Sequence, residues 1–204
     1  MNSKDLEARI TRLEDIEEIN KLQRIYGYCL DNGRQDMIVD LFSDDTESVE
    51  VADRGVFLGK EGVKKFFLGY LKKGTERPTP GAMYIHTQFQ GVVDVDPGGK
   101  TAKGRWYCLM IQAHTNIEPG VARAAWGFGV YENDYVKEDG KWKFKKLYFN
   151  ITFRTPYEDG WLKTPVVDES VDYPVKPDAM PTAYHPYPSG YVVPFHWEPP
   201  VTSK

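Results

Sequence analysis

The chain reads as an α+β protein with an antiparallel sheet, and three features of the sequence say so. Apolar residues near the N-terminus recur at three- and four-residue steps, the period of an amphipathic helix. From residue 84 onward the chain changes to long alternating segments separated by polar turns, the pattern of paired strands. Helices come first and strands later, with no phosphate-binding glycine motif, which argues against a parallel α/β sheet.

The elements follow in order. Leu6, Ile10, Leu13, Ile16, Ile19, Leu22, Ile25 and Tyr26 form one stripe of a first helix, with charged residues on its other face and a glycine stop at Asp31-Asn32-Gly33. A second, short helix spans 35–42 and ends at Ser43-Asp44-Asp45. A strand at 47–51, a turn or short strand at 55–59 and a third helix at 60–73 follow, then a loop with two prolines at 75–81. Four strands occupy 84–95, 101–115, 122–137 and 142–153, turning at Asp96-Pro97-Gly98-Gly99 and Glu138-Asp139-Gly140. Gly127 and Gly129 lie inside the third of these, where they allow a bend.

Composition narrows the function. At 204 residues the chain makes one domain with a real core. The net charge of -4 argues against nucleic acid, which calls for a basic face. The cluster Lys141, Lys143, Lys145 and Lys146 lies on a strand that alternates toward solvent. No apolar run is long enough for a membrane span, and the N-terminus lacks the apolar stretch of a secretory signal. Cys29 and Cys108 give neither a disulfide framework nor a metal-binding spacing, so a cytoplasmic location is expected. Aromatic residues make up 14% of the chain, thirteen of them tyrosine, a side chain suited to pockets and interfaces. After residue 155 the composition shifts again. Ten of the fourteen prolines fall between Pro156 and Pro200, mixed with Tyr157, Trp161, Tyr173, Tyr184, Tyr187, Tyr191 and Trp197. A disordered tail is poor in aromatics. The reading is therefore one domain over 1–155 and an extended strap over 156–204, packed on the body or on a neighbouring subunit.

The run Leu13-Glu14-Asp15-Ile16-Glu17-Glu18-Ile19, then Tyr26, Leu30-Asp31 and Leu41-Phe42-Ser43-Asp44-Asp45, resembles the opening of the SnoaL-like branch of the nuclear transport factor 2-like superfamily. Gly104-Arg105-Trp106 and the stretch from Tyr131 to Trp142 are similar to its later strands, so the resemblance covers roughly residues 5 to 155. It implies a strongly curved sheet wrapped around the N-terminal helices, a cone with an internal cavity. Among this superfamily the scytalone-type dehydratases, which work without metal or cofactor, are similar around Asp31, His86 and the Asp139-Gly140 hairpin. That likeness implies an aspartate orienting a histidine that acts as general acid and base. The positions of the dehydratases' water-holding tyrosines are Leu30 and Glu50 here, their second histidine falls near Gln112, and Gly129 and Tyr131 replace a serine and an asparagine. The cofactor-free lyases that release formaldehyde from diarylpropanes are similar in general character, including an ending like Tyr187-Pro188-Ser189-Gly190-Tyr191.

The site expected from these residues is compact. His86, Gln88 and Gln90 share one strand face, and Trp106, Met110, Gln112 and His114 share a face of the next. The resemblance turns both faces inward. Asp31 and His86 are the expected acid/base pair, with Glu50 and His114 as further catalytic candidates. Tyr26, Tyr84, Tyr131, Asn133 and Phe149 complete the expected lining with Gln88, Trp106, Met110 and Gln112. Each has an ordinary alternative: a core tyrosine, a capping aspartate, a rim histidine, or an exposed Glu50. Arg105 and Lys103 alternate to the outside. No metal set is legible, His185 and His196 included, and no cofactor is expected. The expected partner is a small aromatic substrate acted on by a lyase that removes water or formaldehyde, in a homo-oligomer. A ketosteroid isomerase-like isomerase or hydrolase, and a non-catalytic binding module, are the other readings.

Overall fold

The structure is a computed structural model, and it describes residues 2–71, 79–118, 121–166 and 175–198, without the side chains of 115–118. The chain opens with α1 (Ser3–Asp31), whose start is closed by a reciprocal capping box: the Asn2 side chain accepts from Asp5 N–H at 2.8 Å, and the Asp5 carboxylate accepts from Asn2 N–H at 3.2 Å. Gly33, at φ +68°, turns the chain out of the helix where other residues would be strained. The amphipathic stripe is only half used. Leu6, Ile10 and Leu13 are exposed, and burial begins at Asp15 and Ile19. Those three residues lie on the first turns of α1, ahead of its buried stretch.

Next come α2 (Gln35–Asp40), β1 (Ser48–Val51), β2 (Gly55–Leu58) and α3 (Gly59–Lys64), which continues into a π-helical stretch over Lys65–Leu71. The loop expected at 75–81 falls mostly on residues outside those described, as does Tyr173. Then β3 (Met83–Val95), β4 (Thr101–Glu118), β5 (Val121–Glu138) and β6 (Lys141–Pro156) form the long strands, and α4 (Gly160–Lys163) is a single turn.

Among the described residues six strands make one sheet in the order β2-β1-β6-β5-β4-β3. Its pairs are antiparallel except β1 with β6, which run parallel, so the sheet is mixed where the sequence suggested an antiparallel one. The exception arises because β1, besides pairing with its hairpin partner β2, joins the rest of the sheet through β6, a strand distant in sequence. Bulges bend the sheet: one at Gln90–Gly91 in β3 and two between β5 and β6. Gln90 takes a positive φ of 54° to make the first. Gly91 and Gly104 leave room for one large side chain, because a Cβ on either would fall 2.4 Å or less from the Trp106 indole.

Helices α1 to α3 fill the concave side, while Trp161 of α4 packs on Trp126 and Phe153 of the other face. Tyr26, Phe42, Phe67, Tyr131 and Phe144 form a continuous aromatic core, with Tyr131 stacked on Phe149 at 4.3 Å between ring centres. Residues 175–198 lie without regular helix or strand across the opposite face. Ala179 bridges to Val56, Thr182 donates to Glu50, Ala183 O accepts from the Tyr148 hydroxyl at 3.0 Å, and Tyr187 N–H reaches Thr152 O at 2.8 Å. Farther on, Arg105 bonds the carbonyls of Val193 and Pro194, and its guanidinium lies over the Phe195 ring at 4.6 Å. Arg105 does point away from Trp106, yet it is buried under these residues, not exposed. No helix among the described residues is long and apolar enough to cross a membrane.

Candidate active site

The site is built where α1 lies along β3, the strand at the opposite edge of the sheet from β2. Helix positions four apart rise about 6 Å and strand positions two apart about 6.6 Å, so a stripe of one can match a face of the other. On α1 the stripe is Gln23, Gly27 and Asp31; on β3 the face is His86 and Gln88. The match is antiparallel: Asp31 meets His86, while Gly27 and Gln23 meet Gln88.

Asp31 Oδ1 accepts from the His86 backbone N–H at 2.9 Å and lies 2.7 Å from His86 Nδ1. The carboxylate therefore places the proton on Nδ1 and leaves Nε2, which has no partner among the described residues, as the basic nitrogen. Both side chains are mostly buried, at 11% exposure for His86 and 20% for Asp31. A cleft of about 380 Å³ opens onto them, lined also by Arg24, Gly27, Tyr28, Ile85, Thr87 and Gln88. That volume is at the small-molecule scale. At its rim Tyr28 is exposed and Arg24 pairs with Glu17 at 2.7 Å.

The remaining expected residues go to different places. Tyr84, Gln112 and His114 form their own cluster, with His114 Nδ1 3.5 Å from the Tyr84 hydroxyl and Nε2 3.3 Å from Gln112 Oε1. Tyr84 and Gln112 are register partners, one step along the sheet from the His86–Met110 pair. Tyr26, Trp106, Met110, Tyr131, Asn133 and Phe149 are buried on the helix-facing side, packed into the core and away from the rim of the cleft. Burial pushes the phenols of Tyr26 and Tyr131 well above their ordinary range, so both stay protonated and act only as neutral groups. Glu50 is 1% exposed and faces the other side of the sheet, where its carboxylate accepts from both Thr182 N–H and Thr182 Oγ1 at 2.7 Å. It anchors the C-terminal residues and does not meet the Asp31–His86 pair. His196 lies beside Glu132 and 3.3 Å from Asp94 on that same far side. Among the described residues no group of three or more His, Cys, Asp or Glu is placed to hold a metal ion.

Sequence reading missed Gln23 and Gly27. Gln23 is fully buried; its Oε1 accepts from Tyr135 Oη at 2.8 Å and Asn133 Nδ2 at 3.1 Å, and its Nε2 donates to Gln88 Oε1. Gly27 has no side chain because one would fall 2.8 Å from Gln88 Nε2. The signal was present: both residues share the four-residue stripe of Asp31. Polar residues on a helix face that packs inward mark a site as clearly as the aspartate does.

The SnoaL-like domain profile matches residues 11–148. This chain belongs to the SnoaL-like family of the nuclear transport factor 2-like superfamily. Among curated proteins none is significantly similar in sequence. Solved structures share the SnoaL-like fold. A candidate scytalone dehydratase from Novosphingobium aromaticivorans is 23% identical, with a TM-score of 0.61, covering 83% of this chain and 97% of its own. A type 2 hexachlorocyclohexane dehydrochlorinase is 20% identical with a TM-score of 0.60, covering 72% and 92%. The type 3 enzyme of that name from Novosphingobium barchaimii is 19% identical with a TM-score of 0.57, covering 72% and 93%. At these identities the likeness establishes the SnoaL-like fold alone.

Proposed function

We propose that this SnoaL-like protein is a cofactor-independent lyase that removes water or formaldehyde from a hydroxylated aromatic molecule. The observation that carries the reading is the Asp31–His86 pair: one carboxylate oxygen 2.7 Å from Nδ1, an open Nε2, and a cleft beside them. The names of the neighbours, a dehydratase and a dehydrochlorinase, support eliminations as the reaction class.

In a dehydration, Nε2 takes the proton from carbon next to the one bearing the leaving hydroxyl. The C–H electron pair becomes the new C=C bond, the C–O bond breaks, and the imidazolium returns the proton so that water departs. In the formaldehyde route, a phenol first loses its benzylic hydroxyl as water to give a quinone methide. The base then takes the proton of the primary alcohol, and the C–C bond breaks to release formaldehyde. The freed electron pair restores the aromatic ring and leaves a stilbene. Both sequences are redox-neutral. Asp31 keeps its charge throughout and stabilises the imidazolium. An isomerase in which an aspartate is the base is disfavoured, because Asp31 Oδ1 is engaged twice by His86.

The test is turnover of diarylpropane diols and polyphenol precursors, followed by stilbene absorbance, water-loss products and released formaldehyde. His86→Ala should lower kcat/KM by at least about 100-fold, the usual worth of a general base. Full activity in that variant would remove His86 from the chemistry. Binding without turnover of any of these compounds would favour the module reading.

A further inference from the structure

Next to the dyad, a hydrogen-bond relay runs through buried amides and has a direction. It begins at a backbone group whose role is fixed: Tyr148 N–H donates to Asn133 Oδ1 at 3.0 Å. Asn133 must then present Nδ2 to Gln23, and it does, at 3.1 Å from Gln23 Oε1. The Tyr135 hydroxyl donates to that same oxygen at 2.8 Å, and burial pushes this phenol far above its ordinary range, so it remains a donor. With its oxygen taken twice, Gln23 can offer only Nε2 to Gln88, which accepts through Oε1. Each link excludes the flipped amide of the next, since a flip would set donor against donor.

The relay ends on Gln88 Nε2, a buried donor with no hydrogen-bond partner. It lies against Gly27, the one place on α1 without a side chain, and both residues line the cleft that reaches Asp31 and His86. Buried donors are almost always satisfied in folded proteins, and exceptions concentrate where a ligand completes the set. The relay spends four residues on aiming this one.

We propose that Gln88 Nε2 is a substrate-binding donor: it receives a phenolic or enolic oxygen on which negative charge gathers while His86 moves the proton. The inference rests on the acid/base reading of His86 for its role in turnover, but not for binding. His86 and Gln88 are two residues apart on one strand face, about 6.6 Å along the backbone. The acceptor oxygen and the reacting carbon are therefore separated by roughly the span of a benzene ring, as in a phenol reacting at the carbon attached para to its hydroxyl. A carbonyl directly beside the reacting carbon would be too short to engage both groups.

The experiment uses 4-nitrophenol, whose absorbance reports binding and ionisation without any turnover. Titrations compare the native protein, Gln88→Glu and Gln88→Met. Glutamate keeps the acceptor for Gln23 but lacks the N–H; methionine keeps the bulk and carries no added charge. Thermal melts and near-ultraviolet circular dichroism select the variants that fold. Both substitutions should weaken binding of the phenolate at least tenfold, and the native protein should bind the phenolate in preference to the phenol. Binding within twofold of native in a folded variant overturns the proposal, as does failure of the native protein to bind the probe. Full turnover by His86→Ala together with lost phenolate binding in the Gln88 variants would sink the acid/base reading and leave this one standing. The reverse pattern sinks this one alone.

Discussion

One oxygen of Asp31 shows how much a single side chain can set at the residue scale. By accepting from both the ring and the backbone of His86, it fixes the tautomer and the ring's place on the strand together. Asp96 does comparable work at the turn between β3 and β4. Its carboxylate accepts from Thr101 N–H at 2.6 Å, Gly98 N–H at 2.7 Å and Lys100 N–H at 3.0 Å. These backbone bonds, that from Thr101 foremost, lower its pKa to about 2. A folded-state value below the unfolded one means that the contribution is complete above the ordinary carboxylate range. It is lost as pH falls from about 4 toward about 2. Urea unfolding at a series of acid pH values should show a shallower loss of stability in Asp96→Asn than in the native protein, and an unchanged slope would count against it.

At the scale of elements, the site depends on α1 and β3 having repeats of nearly equal length. The stripe Gln23–Gly27–Asp31 and the face His86–Gln88 meet residue by residue because four helix residues rise about 6 Å and a strand dipeptide about 6.6 Å. The sheet's inner wall is shaped by what is missing. In β5 a Cβ on Gly127 would lie 2.6 Å from Met110 Cε and 2.8 Å from Phe153 O, and one on Gly129 2.6 Å from both Asn150 O and the Phe149 ring. Met110 can rotate away, but the backbone carbonyl cannot. Gly127→Ala should therefore destabilise the protein by about 1–3 kcal/mol through overpacking, measured by chemical denaturation. A gain in stability would show that the wall has slack.

At the scale of the whole molecule, the sheet separates two buried faces: helices α1 to α3 and the cleft on one, α4 and residues 175–198 on the other. The second face is held by charge as much as by apolar contact. Arg105, 8% exposed at its side chain, bonds Glu132 at 2.7 Å and two carbonyls of the C-terminal residues. Arg105→Ala leaves a carboxylate buried without its main partner and should cost about 3 kcal/mol. It should also speed proteolysis after residue 175 while leaving phenolate binding intact; equal proteolysis rates would show that Arg105 does not hold this segment. The sequence by itself determined the α+β order, the four long strands and their turns, because period and turn chemistry are local. It also marked Asp31 and His86, through a family resemblance that preserves their order along the chain. Only the tertiary structure decided what long-range pairing controls. It set β1 parallel to β6, left Leu6, Ile10 and Leu13 exposed, and turned Glu50 from the expected pocket to Thr182. The cleft, too, is a product of packing. Alternation tells which residues share a face, but not which helix lies on that face or in what register. The pairing of Gln23, Gly27 and Asp31 with His86 and Gln88 exists only once α1 is laid along β3.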